Sequence, residues 1–205
     1  MIIFSYGAKC YFCFYPYKRY FMKLNRQIIL ALVIMVAMSA LYRIMPSRPM
    51  GFAPQIAIAL FSGSLFASKK SYSFLLPIVS MLISDILYQV LYNFGYTAIQ
   101  GFYSGQIENY ILIAATAVFG FSLQDSKPSK YMVSFLSAPT VYFLVSNFLV
   151  WAQGGGYHHP KTWAGFTQTM VDGLPFYQYS LVSTLLFGAV LFGAFRLMVP
   201  KFKAI

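Results

Sequence analysis

The chain has 205 residues, of which 59% are hydrophobic and only 9% are charged, and its formal net charge is +11. A soluble globular domain carries roughly 25% charged residues, so the composition excludes that class and predicts a polytopic membrane protein. A nucleic-acid partner could be inferred from the positive charge, but basic cytoplasmic loops explain it better, and no nucleic-acid binding is predicted.

The N-terminal residues 1–21 are rich in aromatic side chains and fit neither a signal peptide nor a clean membrane span. Met22 then begins the segment MKLNRQIILAL, which is typical of a basic start before an apolar helix. We interpret residues 1–21 as a disordered or mis-started extension and 22–205 as a single transmembrane domain. Cys10 and Cys13 form one C-x-x-C pair, and without a second pair they do not support a zinc site, so no metal or cofactor is predicted.

Five apolar segments have the 17–25 residues needed to cross a bilayer, and a sixth, 53–68, is short for a span. The sequence therefore predicts an all-α, polytopic membrane bundle. The predicted spans are 27–45, 53–68, 72–93, 107–123, 130–152 and 176–198, with a short helix at 162–172 in the last connection.

Basic residues predict the orientation of the bundle. With the N-terminus inside, 12 of the 15 Lys and Arg residues fall on the cytoplasmic side, and only Arg43, Arg48 and Lys161 fall outside. Because cytoplasmic loops carry an excess of basic residues, we expect both termini in the cytoplasm and the protein in the cell inner membrane.

One carboxylate, Asp85, lies inside the third span, 13 residues beyond Tyr72 and therefore roughly 20 Å along the helix. A carboxylate inside the hydrocarbon layer costs about 2.5 kcal/mol or more, so it should face protein or water. Two roles stay open for it. It contributes to a binding site, or it bonds neighbouring hydroxyls or Arg43 and locks the bundle.

Other polar and aromatic residues fall in the same outer half of the predicted bundle. Asn147 and Trp151 are one turn apart on the fifth helix, although Asn147 could equally join two helices and Trp151 could be an interfacial belt residue. We predict an outward-facing pocket, lidded by the connection 153–175, that binds a small molecule. Its predicted residues are Asp85, Asn147, Trp151, Tyr142, Gln55, Tyr157, His158 and His159.

Small residues recur every four positions on the second helix, at Ala59, Gly63 and Ala67, and again at Ala189 and Gly193 on the sixth. Such lines let helix backbones approach closely. They serve packing within this bundle or docking onto another membrane subunit.

Catalysis finds little support in the sequence. It contains no Ser-His-Asp spacing, no H-E-x-x-H, no phosphate-binding P-loop and only four acidic residues, which are scattered. An embedded enzyme would have to depend on Asp172, His158 or His159. We therefore expect that the protein is not an enzyme.

A resemblance to a known group is carried by four stretches, which are RPMGFAPQIAIALFSGSLFA (48–67), LLPIVSMLISDILY (75–88), FLVSNFLVWAQGGGYHHPKTWAG (143–165) and LPFYQYSLVSTLLFGAVLFG (174–193). The motifs within them are Ser84-Asp85, Asn147-Phe148 with Trp151, and Tyr157 through Pro160. With these the chain resembles a family of small prokaryotic integral membrane proteins related to the substrate-binding S-components of energy-coupling-factor vitamin transporters.

This resemblance implies a six-helix bundle that binds a vitamin-like or metal-related ligand near its outer face. It also implies a membrane coupling subunit and two ATPases as partners, which together drive uptake. The first helix departs from the family pattern, since its Ala31, Ala37 and Ala40 lack the A-x-x-x-A spacing that S-components often use for docking. The competing interpretation is a structural or assembly membrane protein, in which the polar residues only join helices.

Overall fold

The computed structural model describes residues 26–123 and 127–202, with side chains at 29–123 and 127–197. The interpretation of residues 1–21 as an extension, and the C-x-x-C pair within them, lie outside this part of the chain.

The described residues fold as an all-helical bundle, as the sequence predicts. Its helices are α1 (Arg26–Arg43), α2 (Gln55–Leu65), α3 (Lys70–Asn93), α4 (Gln106–Ala115), α5 (Ala117–Gly120), α6 (Pro128–Gln153) and α7 (Trp163–Phe202). By length and composition, four segments can cross a membrane, and these are Lys70–Asn93, Gln106–Leu123, Pro128–Gln153 and Trp163–Leu197. The third of the six predicted spans, for example, differs from α3 by only two residues at its start.

The second predicted span, 53–68, is shorter in the structure. Pro54 precedes the first residue of α2, and the helix ends at Leu65 after 11 residues. At 1.5 Å per residue it is about 16 Å long, so as an isolated helix it is too short to cross a hydrocarbon layer about 30 Å thick.

The predicted separation of a short helix at 162–172 from a sixth span at 176–198 is wrong. The structure has one continuous 40-residue helix, α7, that runs through Gly173 and Pro175. Proline removes one helical hydrogen bond and glycine weakens a helix, but both are tolerated in membrane helices where neighbouring elements compensate.

The short helix α2 lies at the centre of the bundle. Nine of its residues are buried, and it contacts α3, α4, α5, α6 and α7. Gly63 makes the contact with α5 possible, because a Cβ at this position would overlap the carbonyl oxygen of Ala117 and would lie 3.0 Å from the Cα of Gly120. With Ala59 fully buried as well, these small residues of α2 serve packing within the bundle.

The end of the bundle near the C-terminus of α7 is filled by aromatic side chains. Phe61 of α2 packs against Phe192 and Phe195 with ring centroids 5.3 and 5.4 Å apart, and Tyr131 and Phe135 of α6 complete the cluster. The opposite end, where α2 begins and α6 ends, is packed differently and contains a cavity.

Candidate ligand-binding cavity

A cavity of about 480 Å³ lies between the end of α1, the start of α2 and the facing halves of α6 and α7. Binding sites for small molecules and cofactors commonly have volumes of about 300–1,000 Å³. The volume therefore suits a small organic solute. Its walls also include Met81 of α3 and Asn109 and Ile113 of α4.

Asn147 belongs to the wall formed by α6 and α7, as the sequence predicts. Its Nδ2 donates a hydrogen bond of 2.9 Å to the carbonyl oxygen of Phe143. Gly173 of α7 lies directly against this amide, and a Cβ there would come within 2.8 Å of the Asn147 Cγ. One turn from these residues, the rings of Phe143 and Tyr177 lie 4.8 Å apart and give the wall an aromatic surface.

Gln55, the first residue of α2, also lines the cavity, and only 4% of its surface is exposed. Neither its Nε2 nor its Oε1 has a hydrogen-bond partner among the described residues. An unsatisfied buried polar group costs about 1–3 kcal/mol. This feature is rare in folded proteins, where buried polar side chains are nearly always paired.

Two arginines line the cavity on the side of α1. Arg43 pairs with Asp85, whereas Arg48 donates from Nε to the carbonyl of Arg43 at 3.1 Å and from Nη1 to the carbonyl of Phe52 at 2.8 Å. Within the described part of the chain, no carboxylate lies within 4 Å of Arg48.

The mouth of the cavity carries Tyr157 and His159, as predicted for the connection after α6. Tyr157 is 79% exposed. His159 Nε2 lies 2.6 Å from Asp172 Oδ2, and Gln168 donates to the other oxygen of this carboxylate at 3.1 Å. The pair links the connection to α7 across the mouth and holds the His159 ring in place.

Asp85 lies outside the cavity, in contrast to the predicted site. It is 1% exposed and is bonded by Arg43, by Gln106 Nε2 at 2.6 Å and by the Tyr110 hydroxyl at 2.5 Å. The carboxylate therefore joins α1, α3 and α4, which is the second of the two roles open from the sequence. Arg43 lines the cavity and Asp85 does not, so the carboxylate is not part of the cavity wall.

Trp151 and His158 also lie outside the cavity. The indole of Trp151 donates to the carbonyl of Pro160 at 3.1 Å, and its ring packs against Phe166 with centroids 5.4 Å apart. His158 is exposed in a left-handed conformation with φ of 56°, and its Nδ1 lies 2.6 Å from the carbonyl oxygen of Gly154. Both residues shape the turn between α6 and α7.

Tyr142 lines the cavity, and its hydroxyl donates to Asn109 Oδ1 at 2.6 Å. The structure thus brings together Gln55, Tyr142, Asn147, Tyr157 and His159 of the predicted set.

Sequence reasoning missed Arg48 and Asn109 as parts of the cavity wall. The sequence placed Arg48 only in the outer connection. A basic residue on that side departs from the usual cytoplasmic bias, and this departure could have indicated a role in the cavity. Asn109 is a single polar side chain in an apolar helix and resembles many other such positions. Among the described residues, no group of three His, Cys, Asp or Glu side chains could hold a metal ion.

The helical bundle and its cavity define a helical membrane protein with a candidate binding site for a small molecule. The chain belongs to the family of unknown function DUF6580, whose profile matches residues 22–205. The chain matches neither a curated protein nor a solved structure.

Proposed function

We propose that this protein binds a small, vitamin- or cofactor-like solute in the cavity and presents it for uptake across the cell inner membrane. The observation that carries the proposal is Gln55, a residue of the cavity wall whose buried amide has no hydrogen-bond partner among the described residues. Its donor and acceptor would fix a polar edge of the solute, while Phe143 and Tyr177 supply an aromatic surface against which a flat ring can pack.

The distribution of basic residues supports an outward-facing cavity. Arg43, Arg48 and Lys161 are the basic residues of the described chain at the cavity end. The other end carries a larger set, which is Arg26, Lys69, Lys70, Lys127, Lys130, Arg196 and Lys201. The positive-inside rule then places that end in the cytoplasm, together with the N-terminus of α1 and the C-terminus of α7.

The resemblance to S-components suggests how a captured solute would be moved. A coupling subunit and ATPases would energise its transfer, and the six predicted spans would be those of an S-component bundle. The competing function, a structural or assembly protein, is favoured by one observation, namely that Asp85 is fully bonded within the bundle. The next experiment separates these functions.

Gln55→Leu is expected to abolish retention of the bound solute. Leucine keeps the approximate volume of the side chain but removes the donor and acceptor, and each lost hydrogen bond costs about 0.5–1.5 kcal/mol of binding free energy. Native mass spectrometry of the protein purified in mild detergent should show an additional small molecule on the wild type and little or none on the variant.

Gln178→Leu is the matched control, because Gln178 is an exposed residue of α7 outside the cavity. This variant should retain the solute as the wild type does. A wild-type protein that carries no small molecule, or a Gln55→Leu variant that carries the same one, would contradict the proposed function and favour the structural alternative.

The proposed orientation predicts which positions react from outside the cell. In a chain whose Cys10 and Cys13 are replaced by serine, a cysteine at the exposed Tyr157 should react with a membrane-impermeant maleimide on intact spheroplasts. A cysteine at the exposed Ser68, in the turn after α2, should react only after permeabilisation. The reverse pattern would place the cavity on the cytoplasmic side.

A further inference from the structure

The wall formed by residues 48–55 has an excess of hydrogen-bond donors and positive charge. It begins with Arg48, passes through the turn at Gly51 and reaches the first turn of α2. Three separate features of this wall point to the same ligand chemistry.

The first feature is the charge of Arg48. Arg43 is paired with Asp85, and the Asp172 carboxylate is already hydrogen-bonded to His159 and Gln168. The Arg48 guanidinium bonds only the carbonyls of Arg43 and Phe52, and none of the described carboxylates lies within 4 Å of it. A half-buried cation of this kind is stabilised by an anion that enters from the cavity.

The second feature is the N-terminus of α2. Pro54 at the N-cap provides no side-chain cap, and the backbone N–H groups of Gln55, Ile56 and Ala57 have no hydrogen-bond acceptor among the described residues. All three residues are buried. Unpaired N–H groups at the positive end of a helix dipole favour an anion, and burial strengthens the interaction because water does not screen it.

The third feature is the side chain of Gln55, which is independent of the helix end. Only 4% of the Gln55 surface is exposed, the residue lines the cavity, and its amide has no hydrogen-bond partner among the described residues. The Nε2 group is a further donor for an oxyanion, and the Oε1 atom can accept from an N–H or O–H next to that oxyanion.

From these features we propose that the solute carries a carboxylate and that Arg48, Gln55 and the first turn of α2 bind it. A carboxylate brings one negative charge, which matches the Arg48 guanidinium of this wall, since no carboxylate among the described residues lies within 4 Å of it. A phosphate monoester carries about −1.5 to −2 at neutral pH and would leave negative charge uncompensated in this site. The inference rests on the proposed function and specifies the class of its solute.

The test uses the full chain purified in mild detergent, with native mass spectrometry to measure occupancy by the co-purified molecule. The molecule is then released by denaturation and identified before and after methyl esterification. We expect it to gain a methyl ester, which identifies a carboxylate. Arg48→Gln should raise the dissociation constant about tenfold or more, because a charge-assisted hydrogen bond contributes about 1.5–3 kcal/mol, and the occupancy should fall accordingly.

Lys161→Gln is the matched control, since it removes one positive charge at the same end of the bundle from a residue that does not line the cavity. Its occupancy should remain close to that of the wild type. A released molecule without a carboxylate, a phospholipid, or full occupancy in Arg48→Gln would overturn the inference. If the bound molecule has no carboxylate but is still lost in Gln55→Leu, the proposed function stands and only the carboxylate site fails. A wild-type protein with no bound molecule contradicts both.

Discussion

Asp85→Asn is expected to lower the free energy of unfolding by about 3 kcal/mol, the lower end of the range for breaking a buried ion pair. Asn keeps the shape of the side chain but leaves Arg43 without its counter-charge inside the bundle. The lower end applies because the Arg43 side chain is 14% exposed and reaches the cavity, where water can solvate it partly. The midpoint of thermal unfolding in detergent measures the effect.

Glu108→Gln is the matched control for this change. Glu108 is an exposed carboxylate on α4 that forms no ion pair within the described residues, so the same loss of charge should leave the unfolding midpoint nearly unchanged. The double variant Arg43→Met/Asp85→Leu should regain part of the lost stability, because it leaves no buried charge unpaired. An Asp85→Asn protein that unfolds with the wild type would show that the ion pair does not stabilise the bundle.

Gly63→Ala is expected to destabilise the protein by about 3 kcal/mol, the upper end of the cost of overpacking. The added methyl group would overlap the carbonyl oxygen of Ala117, a backbone atom that cannot move without moving α5. Gly120 faces the same interface from the other side, where a methyl group would overlap the carbonyl oxygen of Leu60. The helices α2 and α5 must therefore separate, and a lower unfolding midpoint and a poorer monodisperse yield should follow.

The expected destabilisation by Gly63→Ala is opposite in sign to the effect of helix propensity. Alanine is favoured over glycine by about 1 kcal/mol within a helix, so Gly→Ala without a steric conflict should stabilise. Gly193 of α7 provides this control, because nothing lies within 4 Å of a Cβ placed there. Gly193→Ala should unfold at the same or a higher temperature than the wild type. A stabilising Gly63→Ala would contradict the close packing of α2 on α5.

Local sequence patterns predicted those helices whose apolar length matches a bilayer. The spans predicted at 72–93 and 130–152 correspond to α3 at Lys70–Asn93 and α6 at Pro128–Gln153. The sequence indicated that the second span is short, but it did not predict that α2 is central, because that position depends on contacts with five neighbouring helices. The separate helix predicted at 162–172 is part of α7, within which Gly173 provides room for Asn147.

Only part of the candidate site could be predicted from the sequence, because side-chain directions depend on the arrangement of the helices. Depth along a helix follows from residue counting, and it correctly placed Asn147, Gln55 and Tyr142 near one end. The direction in which a side chain points depends on neighbours that are distant in sequence. Asp85 therefore could be located by depth, but its bonds to Gln106 and Tyr110 required the arrangement of α3 and α4.

The helix α7, with 40 residues, is longer than the hydrocarbon layer of a membrane is thick. The helix is about 60 Å long, and even a tilt of 40° leaves about 46 Å along the bilayer normal, against a hydrocarbon thickness of about 30 Å. Some turns of α7 must therefore project past the acyl chains. In the proposed orientation, turns at the N-terminus of α7 would raise the rim of the cavity among the headgroups, and a water-soluble compound would reach it without first partitioning into lipid.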